Sequence, residues 1–73
     1  RARKLRGQIG AELEVLVEGP SRRNPARLEG RTRCNKIVIF EDSERHIGRI
    51  MKIRITEATQ TTMYGEPAVL NHN

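Results

Sequence analysis

The sequence predicts a small all-β domain, a closed antiparallel barrel of about five short strands. Several stretches alternate between apolar and polar residues, which is the period of a strand with one buried face. No stretch past the N-terminus has the repeat of about 3.6 residues that marks a helix. The chain has 73 residues, of which 36% are hydrophobic, so it can bury one small core. An open sheet would expose its edge strands, and closure into a barrel removes those edges.

The chain divides into three parts by composition. Residues 1–9 are basic and contain no acidic residue, and we interpret them as a basic linker or the end of a preceding domain. Residues 10–66 are predicted to form the barrel. Residues 67–73 are predicted to be a flexible tail.

Residues 12–18 predict the first strand, because apolar and acidic residues alternate there and the apolar side chains share one face. Gly19-Pro20-Ser21 ends this strand, since glycine and proline interrupt regular structure. Residues 22–27 contain three arginines and a proline, and they are interpreted as an exposed basic loop.

The next two strands are predicted in residues 28–34 and 37–40. The first alternates, with Leu28 and Cys34 on its inward face. The second is apolar on both faces, as in a central strand. Asn35-Lys36 is either a turn between two strands or a bulge within one bent strand.

The last two strands follow a charged loop at residues 41–45. Residues 50–56 alternate again, with Lys52 and Arg54 pointing outward. Residues 59–64 are rich in β-branched side chains, which favour strands. Glycine and proline at 65–67 end this segment.

The inward residues of these segments predict a single core. Its members are Leu13, Val15, Val17, Val38, Phe40, Met51, Ile53 and Ile55. An OB-like barrel, the five-stranded oligonucleotide-binding type, fits this pattern. An SH3-like barrel remains open, because strand number alone does not separate the two.

The charge of the chain indicates its partners. Fourteen basic and nine acidic residues give a net charge of +5, and eleven of the fourteen are arginine. The guanidinium fork of arginine matches phosphate oxygens, so this excess favours nucleic acid or another acidic surface. Phe40 and Tyr64 are the only aromatic residues, which argues against base stacking as the main source of affinity. Recognition of the backbone and shape of folded RNA fits better.

Seven cations are candidate RNA-binding residues. Strand alternation points four of them outward, and the basic loop contributes three. They are Arg31, Arg33, Lys52, Arg54, Arg22, Arg23 and Arg27.

Catalytic and metal sites are not predicted. Asp42, Ser43 and His46 are the residue types of a hydrolytic triad, but they lie in one short loop where they cannot easily converge. Cys34 and the histidines lack the paired spacing of metal ligands. We interpret Cys34 as a buried structural thiol, and a single cysteine fits a reducing cytoplasm. No apolar run is long enough to span a membrane.

One segment resembles a known family. Gly30-Arg31-Thr32, followed by Asn35, Val38 and Phe40, resembles the GRT-x-x-N-x-x-V-x-F segment of the TRAM domain of tRNA methylthiotransferases. Residues 15–19 resemble its opening strand, and residues 47–48 and 53–56 its later part. The match covers residues 10–66. Residues 62–65 read Thr-Met-Tyr-Gly where the family typically has Ser-Leu-x-Gly.

The resemblance implies a function for the chain. In this family the TRAM domain is a small barrel at the C-terminus of a radical S-adenosylmethionine enzyme with two iron–sulfur clusters. That enzyme methylthiolates isopentenyl-adenosine next to the anticodon. The TRAM domain would hold the anticodon stem-loop of the tRNA while the remaining domains of the parent enzyme do the chemistry. The chain itself would be a binding module without catalytic activity, because Cys34 alone cannot hold a cluster. The resemblance also implies that it is cytoplasmic and monomeric.

Three alternatives stay open. A related branch modifies a ribosomal protein, and its TRAM domain would bind protein. A free-standing TRAM-type RNA-binding protein is the second. A structural lid that contacts no RNA is the third.

Overall fold

A computed structural model describes residues 5–68 and shows a closed barrel of five strands. The five-stranded, OB-like barrel predicted from the sequence is confirmed. Its strands are β1 (Glu12–Pro20), β2 (Leu28–Thr32), β3 (Ile37–Phe40), β4 (Ile50–Ala58) and β5 (Thr62–Pro67). A short 3₁₀ helix, Glu44–His46, lies between β3 and β4. Within residues 5–68 no helix is both long and apolar enough to cross a membrane.

The strand order around the barrel is β1-β2-β3-β5-β4, with β4 closing against β1. Four of the pairings are antiparallel, and the pairing of β3 with β5 is parallel. The chain leaves β3, crosses the end of the barrel and enters β4 beside β1. The hairpin from β4 into β5 then fills the gap next to β3, where β5 runs in the same direction as β3. The expectation of antiparallel strands throughout is corrected at this one pairing.

The core contains the residues that alternation predicted. Six of the eight are at most 1% exposed: Val15, Val17, Val38, Phe40, Ile53 and Ile55. Leu13 and Met51 are half-buried and pack against this cluster. Leu5, Leu28 and Met63 complete the core.

Residues 5–11, which precede β1, contact the barrel. Leu5 is 6% exposed within the core cluster. The amide of Gly10 donates to the carbonyl of Ile55 at 2.8 Å, and the amide of Ile55 donates to Ala11 at 2.9 Å. Residues 10 and 11 therefore extend the pairing between β1 and β4. Residues 1–4 of the predicted linker and residues 69–73 of the predicted tail lie outside the described residues.

A tight turn joins β2 to β3. The amide of Asn35 donates to the carbonyl of Thr32 at 2.9 Å, and Asn35 has a φ of 65°. Asparagine tolerates this left-handed conformation better than most residues. Asn35-Lys36 therefore belongs to a turn between two strands. Because β2 ends before this turn, Cys34 is exposed, and its interpretation as a buried thiol is wrong.

The last strand begins later than predicted. Thr59 closes a turn, in which its amide donates to the carbonyl of Thr62 at 2.8 Å and its hydroxyl accepts from the amide of Thr62 at 3.1 Å. Threonine hydroxyls commonly cap turns in this way. The β-branched run at 59–61 therefore forms the connection from β4 to β5.

Candidate nucleic-acid interface

An open groove of about 720 Å³ runs over the outer face of β2, β3 and β5. The connection between β1 and β2, residues 21–27, forms one wall. Outward-facing residues of the three strands form the floor. The charged residues of the lining are Glu18, Arg22, Arg23, Arg27, Glu29 and Arg31. We call this feature the arginine groove.

Hydrogen bonds of the backbone shape the wall of the arginine groove. The amide of Ser21 donates to the carbonyl of Arg27 at 2.8 Å, which closes the loop at its base. Ser21 itself is 6% exposed. Asn24 accepts from the amide of Arg27 at 2.8 Å and, through Oδ1, from the amide of Ala26 at 3.2 Å. The predicted basic loop is thus an ordered arm.

Two arginines at the tip of this arm are exposed and line the groove. Within residues 5–68, neither Arg22 nor Arg23 has a carboxylate within 4.0 Å. In the part of the chain that the structure describes, no neighbouring acid offsets their charges. An incoming phosphate would meet both guanidinium groups without first displacing a carboxylate.

Arg27 and Arg31 are held by neighbours. Nε of Arg27 lies 3.5 Å from Oε2 of Glu41. Nε of Arg31 lies 3.4 Å from Oε1 of Glu18, and its Nη1 donates to Oδ1 of Asn35 at 3.1 Å. Such pairs at a protein surface contribute only about 0–1 kcal/mol. A phosphate can therefore compete with the carboxylate for either guanidinium group.

The other three candidate cations lie outside the groove. Arg33 is not on a strand with Arg31 as predicted, because β2 ends at Thr32; its side chain is 89% exposed and lies 3.8 Å from Glu14. Lys52 and Arg54 point outward from β4, on another face of the barrel.

That face, formed by β1 and β4, is mixed in charge. Arg54 lies 3.2 Å from Glu12 and 3.7 Å from Glu66. Lys52 stands directly opposite Glu14 in the strand register. The structure thus brings four of the seven candidate residues into one groove and separates the other three from it.

The floor of the arginine groove was missed by sequence reasoning. Ile37 and Ile39 from β3 lie between residues of β2 and residues of β5, including Thr62 and Tyr64. The period of two along a strand separates the two faces of β3 and of β5. It does not predict that these two strands are neighbours, so nothing in the sequence placed Tyr64 beside the arginines.

Asp42 and His46, two of the triad-type residues, do meet. Nδ1 of His46 lies 2.8 Å from Oδ2 of Asp42 across the 3₁₀ helix, and His46 is half-buried. The Ser43 hydroxyl accepts from the amide of Arg45 at 3.3 Å, as the cap of that helix. Among residues 5–68 no three metal-ligating side chains come together.

A comparison with known families places the chain. The family model of the TRAM domain matches residues 6–68. The chain belongs to the TRAM domain family. The resemblance of the Gly30-Arg31-Thr32 segment is thereby confirmed.

Several curated relatives of this TRAM domain share one name. The chain is similar to the tRNA-2-methylthio-N(6)-dimethylallyladenosine synthases of Moorella thermoacetica, 47% identical over 58 residues, and of Akkermansia muciniphila, 49% identical over 65 residues. These matches cover 80% and 89% of the chain, but 13% and 14% of the relatives. The synthase of Syntrophomonas wolfei is 51% identical over 57 residues, which are 78% of the chain and 13% of that protein. The TRAM domain thus spans about one seventh of the relatives that it matches.

Proposed function

We propose that this TRAM domain binds tRNA through the arginine groove and serves a tRNA-modifying methylthiotransferase. The observation on which the proposal rests is the convergence of Arg22, Arg23, Arg27 and Arg31 on one groove. In OB-type barrels, oligonucleotides bind across strands 2 and 3, beside the first and fourth connections. The arginine groove occupies that place in the barrel, an analogy at the level of the fold. The names of the curated relatives support tRNA as the nucleic acid.

The groove is suited to the phosphate backbone of a folded RNA. Each guanidinium offers two parallel N–H groups to the oxygens of a phosphate. Within residues 5–68, no carboxylate lies within 4.0 Å of Arg22 or Arg23, whereas Arg27 pairs with Glu41 and Arg31 pairs with Glu18. We place the anticodon stem-loop in this groove, since its loop presents both phosphates and unstacked bases.

In this proposal the domain positions the tRNA and does no chemistry. The remaining domains of a longer cytoplasmic enzyme would methylthiolate isopentenyl-adenosine beside the anticodon. S-adenosylmethionine and two iron–sulfur clusters would belong to those domains. The residues described here do not fit a cluster, since no three ligating side chains converge and Cys34 is the only cysteine. The TRAM domain, as one monomer, would contribute by holding the reacting base in place, which can account for much of the rate of such a reaction.

The test is the salt dependence of binding to an anticodon stem-loop. Each phosphate contact contributes about 0.7–0.9 to the slope of log K against log salt. Replacing both Arg22 and Arg23 by Gln should therefore reduce the steepness of this slope by about 1.4–1.8 and weaken binding. Fluorescence anisotropy of a labelled stem-loop, at several salt concentrations, measures both quantities.

A matched control removes the same charge elsewhere. Arg45 and Arg49 are exposed and have no carboxylate within 4.0 Å among residues 5–68. The double variant R45Q/R49Q should keep the slope of the unmodified chain. If both double variants lost RNA affinity equally, binding would not be localised to the arginine groove. Lys52→Gln is also compared with R22Q/R23Q by the same measurement. If both variants weaken RNA binding equally, the face of β1 and β4 belongs to the interface. A chain that binds no RNA would favour the protein-binding or lid alternatives.

A further inference from the structure

One carboxylate in the arginine groove has no partner among residues 5–68. Glu29 is half-buried on the outer face of β2, and within residues 5–68 it makes no ion pair and its side chain no hydrogen bond. The other groove carboxylate, Glu18, is engaged with Arg31 at 3.4 Å. An unpaired carboxylate repels phosphates, so Glu29 lowers the affinity of the groove for any RNA backbone. A groove that only attracted phosphates would bind better without it.

The strand register aligns Glu29 with an apolar and an aromatic side chain. Glu29 on β2 is opposite Ile39 on β3, and Ile39 is opposite Tyr64 on β5. All three line the arginine groove. Neighbouring strands lie about 4.8 Å apart, so this row spans about 10 Å from Glu29 to Tyr64. Those dimensions match one nucleobase lying across the row.

The chemistry of the row is graded from apolar to acidic. Tyr64 is half-buried and offers its ring to the face of a base, a contact that is tolerant of sequence. Ile39 is 9% exposed and forms the apolar floor between Tyr64 and Glu29. Glu29 offers two acceptor oxygens to the edge of that base and no donor when ionised. Guanine presents two adjacent N–H donors on its Watson–Crick edge, which match both oxygens. Uracil presents one N–H donor between two carbonyl oxygens, and these oxygens repel a carboxylate.

We propose that Glu29 reads one unstacked base in the arginine groove and selects guanine over uracil. This inference rests on the proposed function, since the arginines hold the backbone on which that base is presented. It adds sequence selectivity, because contacts to phosphates position an RNA without reading its bases. Adenine and cytosine each offer one amino group and are bound with intermediate affinity.

The test uses octaribonucleotides of sequence UUUUXUUU that differ only at X. The unmodified chain should bind the RNA with guanine at X most tightly and the RNA with uracil least tightly. Glu29→Gln removes the charge and keeps the size of the side chain. It should tighten binding of the all-uracil RNA, because a repulsion is lost. The preference for guanine over uracil should fall about fivefold or more, the lower range for one good bidentate contact to a base.

Glu18→Gln is the matched control. It removes one negative charge from the same groove, but from a carboxylate that already engages Arg31. It should tighten binding of all four RNAs by a similar factor and leave the preference unchanged. Amide spectra of both variants report that the barrel is folded.

The outcomes separate this inference from the function on which it rests. Salt-dependent binding with equal affinity for all four RNAs would overturn base reading by Glu29 and leave tRNA binding in place. If Glu29→Gln changed the affinity for all four RNAs by the same factor, as is expected of Glu18→Gln, base reading by Glu29 would likewise be overturned and tRNA binding left in place. A chain that binds neither these RNAs nor the anticodon stem-loop would overturn both proposals.

Discussion

At Gly30 the barrel has no space for a side chain. A Cβ built there would lie 2.5 Å from the carbonyl oxygen of Leu16 and 2.5 Å from Cγ1 of Val15. The first of these is a backbone atom of the paired strand β1, so it cannot turn away as a flexible side chain could. The close approach of β1 and β2 therefore requires glycine at this position.

Three other residues of the family motif have local roles in the hairpin formed by β2 and β3. The Thr32 hydroxyl accepts from the amide of Lys36 at 3.1 Å. Asn35 adopts the left-handed conformation of the turn and accepts from Arg31. Of Gly30, Arg31, Thr32 and Asn35, Arg31 is the residue whose side chain lines the arginine groove. The motif mainly specifies a hairpin that presents this arginine.

Substitution at Gly30 tests this account of the motif. Gly30→Ala should lower the free energy of unfolding by about 1–3 kcal/mol, because overpacking forces the two strands apart. Urea denaturation measures the change. Gly19→Ala is the control, since a Cβ at Gly19 meets nothing within 4 Å, and its effect should stay within about 0.5 kcal/mol. Equal stability of Gly30→Ala and the unmodified chain would show that β1 and β2 can separate without cost.

At the scale of strands and loops, alternation predicted the faces correctly but could not predict the neighbours. Val15, Ile53 and Phe40 are buried as their spacing indicated. The pairing of acidic with basic side chains depends on the order of the strands in the barrel. The alternation of apolar and polar residues does not predict that order. Glu12 pairs with Arg54 only because β1 and β4 close the barrel.

The same limit explains the parts of the candidate site that the sequence missed. The basic loop and the outward direction of Arg31 could be read from local residues. The contribution of Tyr64 required the parallel pairing of β3 with β5, which joins residues distant in the chain. Cys34 was misplaced because a turn interrupted the alternation two residues earlier than expected.

The segment before β1 was interpreted from its charge, yet it contributes an apolar side chain to the core. Leu5→Ala should lower the free energy of unfolding by about 2–5 kcal/mol, the usual range for a buried leucine. Ile9→Ala is the control in the same segment, because Ile9 is 49% exposed; its effect should be within about 0.5 kcal/mol. Thermal or urea unfolding measures both. A Leu5→Ala chain as stable as Ile9→Ala would assign residues 1–9 to a linker independent of the barrel.

Over the whole molecule, the net charge of +5 favours an acidic partner, and the distribution of charge favours the arginine groove as the place where such a partner would bind. On the face of β1 and β4, glutamates stand beside the cations and pair with them. In the arginine groove, four arginines face two glutamates. The groove thus keeps a positive excess in a concave surface, which is lined by residues of four strands and of the loop between β1 and β2.

Amide chemical shifts test whether RNA binds in the arginine groove. An anticodon stem-loop is titrated into the isotope-labelled chain, and the shift of each backbone amide is followed. The largest changes are expected in residues 18–31, 37–39 and 61–64, and the outer residues of β4 should change little. Changes concentrated at Lys52 and Arg54, or the absence of changes at any RNA concentration, would contradict binding in the arginine groove.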